Sequence, residues 1–257
     1  MNSNTAPTYL NRQDQPALAY HHHKGDENAP HLLFCGGFKS DMQGAKALAL
    51  EDHCRTRGLG FTRFDYRGHG QSEGAFEDGS ISDWLEDTLA IIDEATEAPL
   101  ILVGSSMGGW IVLLAAHARP DKVAGLIGIA AAPDFTERLM WRDMDEETRQ
   151  ILMETGRIET PSEYEDSPYI VTRKLIEDGR KHLLLDAPIE IDVPVRLLHG
   201  QRDTDVPFEF AQIISDQLIS EDITIELVKA GDHRLSEPQD LLRLTRTVDE
   251  LVATIRS

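Results

Sequence analysis

Short apolar runs alternate along most of this chain with longer stretches in which apolar residues recur every third or fourth position. The short runs suit strands buried on both faces, and the longer spacing gives a helix one apolar face. Strands are predicted at Tyr9 to Arg12, Leu18 to His23, His31 to Cys35, Phe61 to Asp65, Leu100 to Val103, Ala124 to Ala130, Val193 to Leu198 and Ile223 to Val228. A first helix is predicted from the spacing of Met42, Ala45, Leu48 and Ala49 and runs to about Arg57. A second covers Ser82 to Thr96, with Trp84, Leu85, Thr88, Leu89 and Ile92 on one face. Further helices follow from about Trp110 to Arg119 and from Glu209 to Leu218. The last helix carries Leu241, Leu244, Thr245, Val248, Leu251, Val252 and Ile255 on one stripe, with Ser236 and Gln239 as a capping box at its start. Strands alternating with helices at short spacing predict a mostly parallel, eight-stranded sheet with helices on both faces. At 257 residues, the whole chain (1–257) has the size of one α/β domain.

One segment, about 134–192, breaks the rhythm. It shows no clean strand, is acidic, and carries the aromatics Phe135, Trp141, Tyr164 and Tyr169. Helical spacing over Glu146 to Gly156 and Tyr169 to Gly179 predicts a small, ordered helical lid rather than a disordered insertion.

The chemistry is concentrated after the Leu100 to Val103 strand, where Gly104-Ser105-Ser106-Met107-Gly108 precedes the apolar helix beginning at Trp110. A Gly-x-Ser-x-Gly turn between a buried strand and a helix is a nucleophile elbow: a strained backbone exposes the serine hydroxyl, and the glycines remove Cβ atoms that would collide. Ser106 is therefore the candidate nucleophile. A serine hydroxyl needs a base to take its proton, and that base needs a group to fix its tautomer. Asp203 and Asp205 follow the Val193 to Leu198 strand, and His233 follows the last strand, in the chain order acid then histidine. Both loops lie beyond the C-terminal ends of parallel strands, where open α/β sheets gather ligands. The two aspartates compete for the orienting role; the Asp-x-x-Val-Pro pattern favours Asp203. His199 is read as packed near the acid, and His69 as structural. The oxyanion of a tetrahedral intermediate requires prepositioned donors. The backbone N–H of Met107 is one candidate. Phe38 is the other, because Gly36 and Gly37 let that loop approach closely. Gly37, Trp110, Phe135 and Trp141 are candidate substrate contacts, the aromatics suggesting an apolar acyl pocket.

Charge narrows the partners. Twenty-five basic residues against 45 acidic ones give a formal charge of −20, which disfavours nucleic acid and anionic membrane surfaces. No apolar run approaches the ~20 residues of a membrane-spanning helix. The first residues, Met1 to Pro7, carry neither a secretory signal nor a transit-peptide pattern, so a cytoplasmic location is expected. Cys35 and Cys54 read as buried free thiols rather than as a disulfide framework. His21, His22 and His23 are adjacent on a strand, so their imidazoles point to alternate faces and do not converge on one ion. No metal or cofactor is expected.

With elbow, acid loop, histidine loop and glycine turn identified, the chain resembles the α/β-hydrolase superfamily. Within it, Phe64-Asp65-Tyr66, Ile101 to Trp110, Leu197 to Asp203 and Asp232-His233-Arg234 resemble a mitochondrial branch of palmitoyl-protein thioesterases and acyl-glucuronide esterases. The likeness runs from about Leu18 to the end. It implies the α/β-hydrolase fold, a triad of Ser106, Asp203 and His233, and an oxyanion hole from Phe38 and Met107. The implied substrates are thioesters or activated carboxylic esters, carried on a small molecule or an acylated protein. The missing transit peptide points to a bacterial relative. Amide hydrolysis or perhydrolysis by the same triad, or a non-catalytic binding module on this scaffold, are the competing readings.

Overall fold

In the computed structural model, residues 6–97, 99–160 and 168–256 are described. In chain order, the strands are β1 (Thr8–Arg12), β2 (Gln15–His23), β3 (His31–Cys35), β4 (Gly60–Phe64), β5 (Leu100–Ser105), β6 (Val123–Ile129), β7 (Arg157–Thr160), β8 (Tyr169–Thr172), β9 (Val195–Gly200) and β10 (Ile223–Val228). The α-helices are α1 (Ala45–Arg57), α2 (Ile81–Glu94), α3 (Met107–Ala118), α4 (Glu146–Thr155), α5 (Arg173–Gly179), α6 (Glu209–Gln217) and α7 (Pro238–Arg256).

Eight strands form one sheet in the order β1-β2-β4-β3-β5-β6-β9-β10. β2 pairs antiparallel with β1 and β4, and the remaining pairings are parallel. Strand side chains alternate between two apolar layers, which is why the central strands read as unbroken hydrophobic runs. Leu33, Cys35, Leu100 and Leu102 pack in the layer that holds Trp84 of α2, Ile111 of α3 and Phe210 of α6. Leu32, Phe34, Ile101 and Val103 face the opposite way, toward Leu50 of α1 and Val248 of α7. Each fully buried Leu or Ile in these layers contributes about 1.5–3 kcal/mol.

The α1 pattern differs from the prediction. Ala45 and Leu48 face solvent, while Ala47, Leu50, Glu51 and Cys54 form the buried side. Buried Glu51 pairs with buried Arg63 of β4 at 2.8 Å, so a charged residue occupies the inner face and obscures the apolar spacing. The predicted capping box is also replaced. Ser236 turns its hydroxyl to the Arg234 carbonyl, and α7 begins at Pro238, whose missing N–H is no loss in a first helical turn.

Between β6 and β9 the chain makes a long excursion. It contains a π-helix (Thr136–Trp141), α4, the antiparallel β7–β8 hairpin and α5. The hairpin corrects the strandless reading of 134–192, and β8 takes the first part of the predicted Tyr169 to Gly179 helix. Tyr169-Ile170-Val171-Thr172 is an aromatic and β-branched run that pairs readily once Arg157–Thr160 lies beside it. Leu152, Val171 and Ile176 form a small apolar cluster under this excursion. Tyr164 lies outside the described residues. The two ends of the excursion are drawn together by Asp134, a buried residue with φ of 60°, which accepts from the N–H groups of Leu184 and Leu185 at 2.8 and 2.9 Å.

Candidate active site

β5 ends at Ser105, α3 begins at Met107, and Ser106 bridges them with φ 54° and ψ −118°. That left-handed backbone is strained for a residue with a side chain. It is held from both sides. The Ser106 N–H donates to the Ile129 carbonyl, and its own carbonyl accepts from Gly109 and Ala132. A Cβ on Gly104 would lie 2.3 Å from the Gly108 oxygen, and one on Gly108 would lie 2.1 Å from the Cys35 oxygen. The two glycines therefore allow α3 to start against the end of β5 and against the β3 loop.

Ser106 Oγ lies 3.1 Å from Nε2 of His233, and His233 Nδ1 lies 2.8 Å from Oδ2 of Asp203. Asp203 is fully buried, and its second oxygen accepts the N–H groups of Asp205 and Val206. Burial raises its pKa, but hydrogen bonds from His199 and His233, the charge of His233 and the Val206 N–H outweigh that and hold the carboxyl well below the usual carboxylate range. The His233 loop is itself pinned. Asp232 accepts from the Leu235 N–H, and the Lys46 ammonium of α1 donates to the Arg234 carbonyl. Burial pushes Lys46 down to about 8.

Phe38 and Met107, the candidate oxyanion donors, both line the cavity beside Ser106. Met107 opens α3, where the first N–H groups have no helical partner. A Cβ on Gly37 would stand 3.4 Å from Ser106 Cβ, a measure of how closely this loop approaches. His69 supports the loop by accepting from the Lys39 N–H at 3.2 Å, and burial drives its pKa down to about 4, so it stays neutral.

The cavity has a volume of about 460 Å³. Gly37 and Phe135 line it, as the sequence suggested. Trp110 and Trp141 do not. Trp110 is buried behind Phe135, with its ring edge-on to it and Nε1 donating to the His182 carbonyl. Trp141 sits between Arg149 and Arg180, which stack over its ring. Trp110 thus fills the core behind Phe135, and Trp141 packs against the Leu152, Val171 and Ile176 cluster of the excursion. The π-helix side chains Leu139 and Met140, together with Tyr169 of β8, take the places expected of the tryptophans. Leu139 and Met140 carry no local mark in the sequence, and Tyr169 stood out only as an aromatic of the excursion, because the wall forms when the excursion folds back over Phe38. Among the described residues, Asp203, Asp205 and His233 are also close enough to form a metal-sized group, but they are the same side chains that surround Ser106.

These features have counterparts in known proteins. The Hydrolase_4 family model, described as serine aminopeptidase S33, matches residues 27–162. Human mitochondrial palmitoyl-protein thioesterase ABHD10 is 41% identical over 249 residues, covering 96% of this chain and 80% of that protein. The chain belongs to the α/β-hydrolase family. Two solved structures are similar to this α/β-hydrolase over nearly its full length. Mouse α/β hydrolase domain-containing protein 10 superposes with a TM-score of 0.90 at 38% identity, covering 98% of this chain and 100% of that one. A putative hydrolase from Agrobacterium vitis S4 superposes with a TM-score of 0.91 at 40% identity, covering 96% of this chain and 98% of that one. No described helix is long and apolar enough to cross a membrane.

Proposed function

We propose that this α/β-hydrolase cleaves thioesters or carboxylic esters through an acyl-enzyme on Ser106. The observation that carries the reading is the continuous path from Ser106 Oγ through His233 to Asp203, at 3.1 and 2.8 Å, opening on the cavity. His233 takes the serine proton through Nε2 as Oγ bonds to the acyl carbon. Asp203 holds Nδ1–H and stabilises the imidazolium without accepting its proton, in keeping with its depressed pKa. The N–H groups of Phe38 and Met107 receive the oxyanion. Collapse breaks the bond to the thiol or alcohol, which leaves with the proton from His233. Water then repeats the sequence to release the acid.

The apolar walls Phe38, Phe135, Leu139 and Met140 suit an acyl group. The ABHD10 relatives, named palmitoyl-protein thioesterases, support a long-chain acyl thioester on a protein or small molecule. The aminopeptidase description of the matching family model keeps amide hydrolysis as the second reading. Residues 1–257 are read as one domain with 134–192 as its lid. Asp134 supports this, since it joins the two ends of the excursion. The expected cytoplasmic location stands against relatives named mitochondrial, and fractionation of cells expressing the untagged protein decides between them.

The test is turnover of matched thioester, ester and anilide substrates, with fluorophosphonate labelling of the native protein. Thioester and ester turnover with a labelled Ser106 is the expected result. An unlabelled serine, or anilide turnover exceeding the other two, overturns the reading.

A further inference from the structure

We propose that His199 is a positioning residue for this reaction, donating its Nε2–H to the same Asp203 oxygen that orients His233. The proposal rests on the triad reading above. His199 Nε2 lies 3.1 Å from Asp203 Oδ2 and 3.0 Å from the Val206 carbonyl oxygen. Both neighbours are acceptors when Asp203 is ionised, so Nε2 carries the hydrogen and shares it between them. His199 is fully buried, next to last in β9, and the bond closes the 199–206 turn around the carboxylate. The other Asp203 oxygen is occupied by two backbone N–H groups.

Two consequences follow for the base. The carboxylate cannot rotate, so Oδ2 stays aimed at His233 Nδ1. Both imidazoles are also tied to one carboxylate oxygen, so the His233 ring keeps a fixed place relative to β9. The charged groups around this cluster are Asp203 and Asp205 on the β9–α6 loop, Asp232 and Arg234 beside His233, and Lys46 of α1. None of them is altered by substitution at 199.

The test compares kcat and KM for the native protein, His199→Leu and His199→Gln on one p-nitrophenyl ester. The leucine variant should lose about tenfold in kcat with little change in KM, because a hydrogen bond to a charged group is removed. Glutamine, whose amide N–H can reach the same oxygen, should restore kcat to within about threefold of the native protein. A leucine variant with native kcat overturns the proposal, as does glutamine losing as much as leucine. If the leucine variant does not fold, ¹⁵N-histidine NMR of the native protein still decides. The Nε2–H tautomer of His199 is expected, and the Nδ1–H tautomer overturns the proposal. Failure of the triad itself is separate, because it would appear as retained turnover in Ser106→Ala.

Discussion

Asp203 and Asp205, two residues apart on one loop, address opposite nitrogens of His233: Asp203 Oδ2 lies 2.8 Å from Nδ1, whereas Asp205 Oδ2 lies 4.0 Å from Nε2. Only the first can fix the tautomer that leaves Nε2 free to face Ser106. Asp203→Asn should therefore reduce kcat by about 10³–10⁴ with the fold retained, the size of effect expected from a wrong tautomer. Asp205→Asn should change kcat by less than about tenfold. Steady-state kinetics of the two variants on one activated ester separates these outcomes, and equal losses would reverse the assignment.

Replacing the elbow serine tests the chemistry rather than its geometry. Ser106→Ala removes the proposed nucleophile yet leaves the Ile129, Gly109 and Ala132 backbone bonds available. A drop in kcat/KM of about 10³ or more is expected, with loss of fluorophosphonate labelling and an unchanged circular dichroism spectrum.

The elbow glycines are a matter of space. A Cβ at position 108 meets backbone oxygens of Cys35 at 2.1 Å and Gly36 at 2.6 Å, neither of which can swing away like a flexible side chain. Gly108→Ala should destabilise the protein by about 1–3 kcal/mol or more, measured by urea unfolding. Because the β3 loop has to shift, kcat should also fall in whatever fraction stays folded.

Asp178 of α5 fastens the excursion to the start of α2. Its oxygens accept the Ser82 N–H and hydroxyl and face Lys181. Burial raises its pKa, but the Lys181 and Ser82 hydrogen bonds outweigh that and hold it down to about 2. An unfolded aspartate titrates near ~3.9, so the folded state binds fewer protons between these values. The stabilisation is complete above about pH 5 and is lost as pH falls toward 2. The Tm difference between the native protein and Asp178→Asn should therefore shrink steadily over that range. A difference independent of pH would exclude this linkage.

Much of the architecture was legible because it depends on local periodicity. Short apolar runs mark strands buried on both faces, and three- to four-residue spacing in α2 and α7 reflects the one apolar face that a helix presents. The Ser106 elbow was legible for the same reason: the strained turn, its glycines and the following helix are contiguous. Asp203 and His233 could be proposed from chain order and from their positions after strands, and the Asp-x-x-Val-Pro pattern favoured Asp203, which is also the aspartate nearer Nδ1 of His233. α1 was misread on its inner face, since Glu51 is buried only because Arg63 arrives from another strand.

The cavity wall depended on contacts that no local pattern encodes. Trp110 and Trp141 have the composition of pocket residues but fill space behind it, while Leu139, Met140 and Tyr169 became wall residues when the β6–β9 excursion folded over Phe38. β7 and β8 are too short to stand alone and exist because they pair with each other. Local pattern along one chain segment thus sufficed for the sheet, for most of its helices and for the elbow at Ser106. Which side chains line the cavity, and how far each carboxylate lies from His233, was decided by packing between segments distant in sequence. Those contacts depend on distances and angles that no single segment carries.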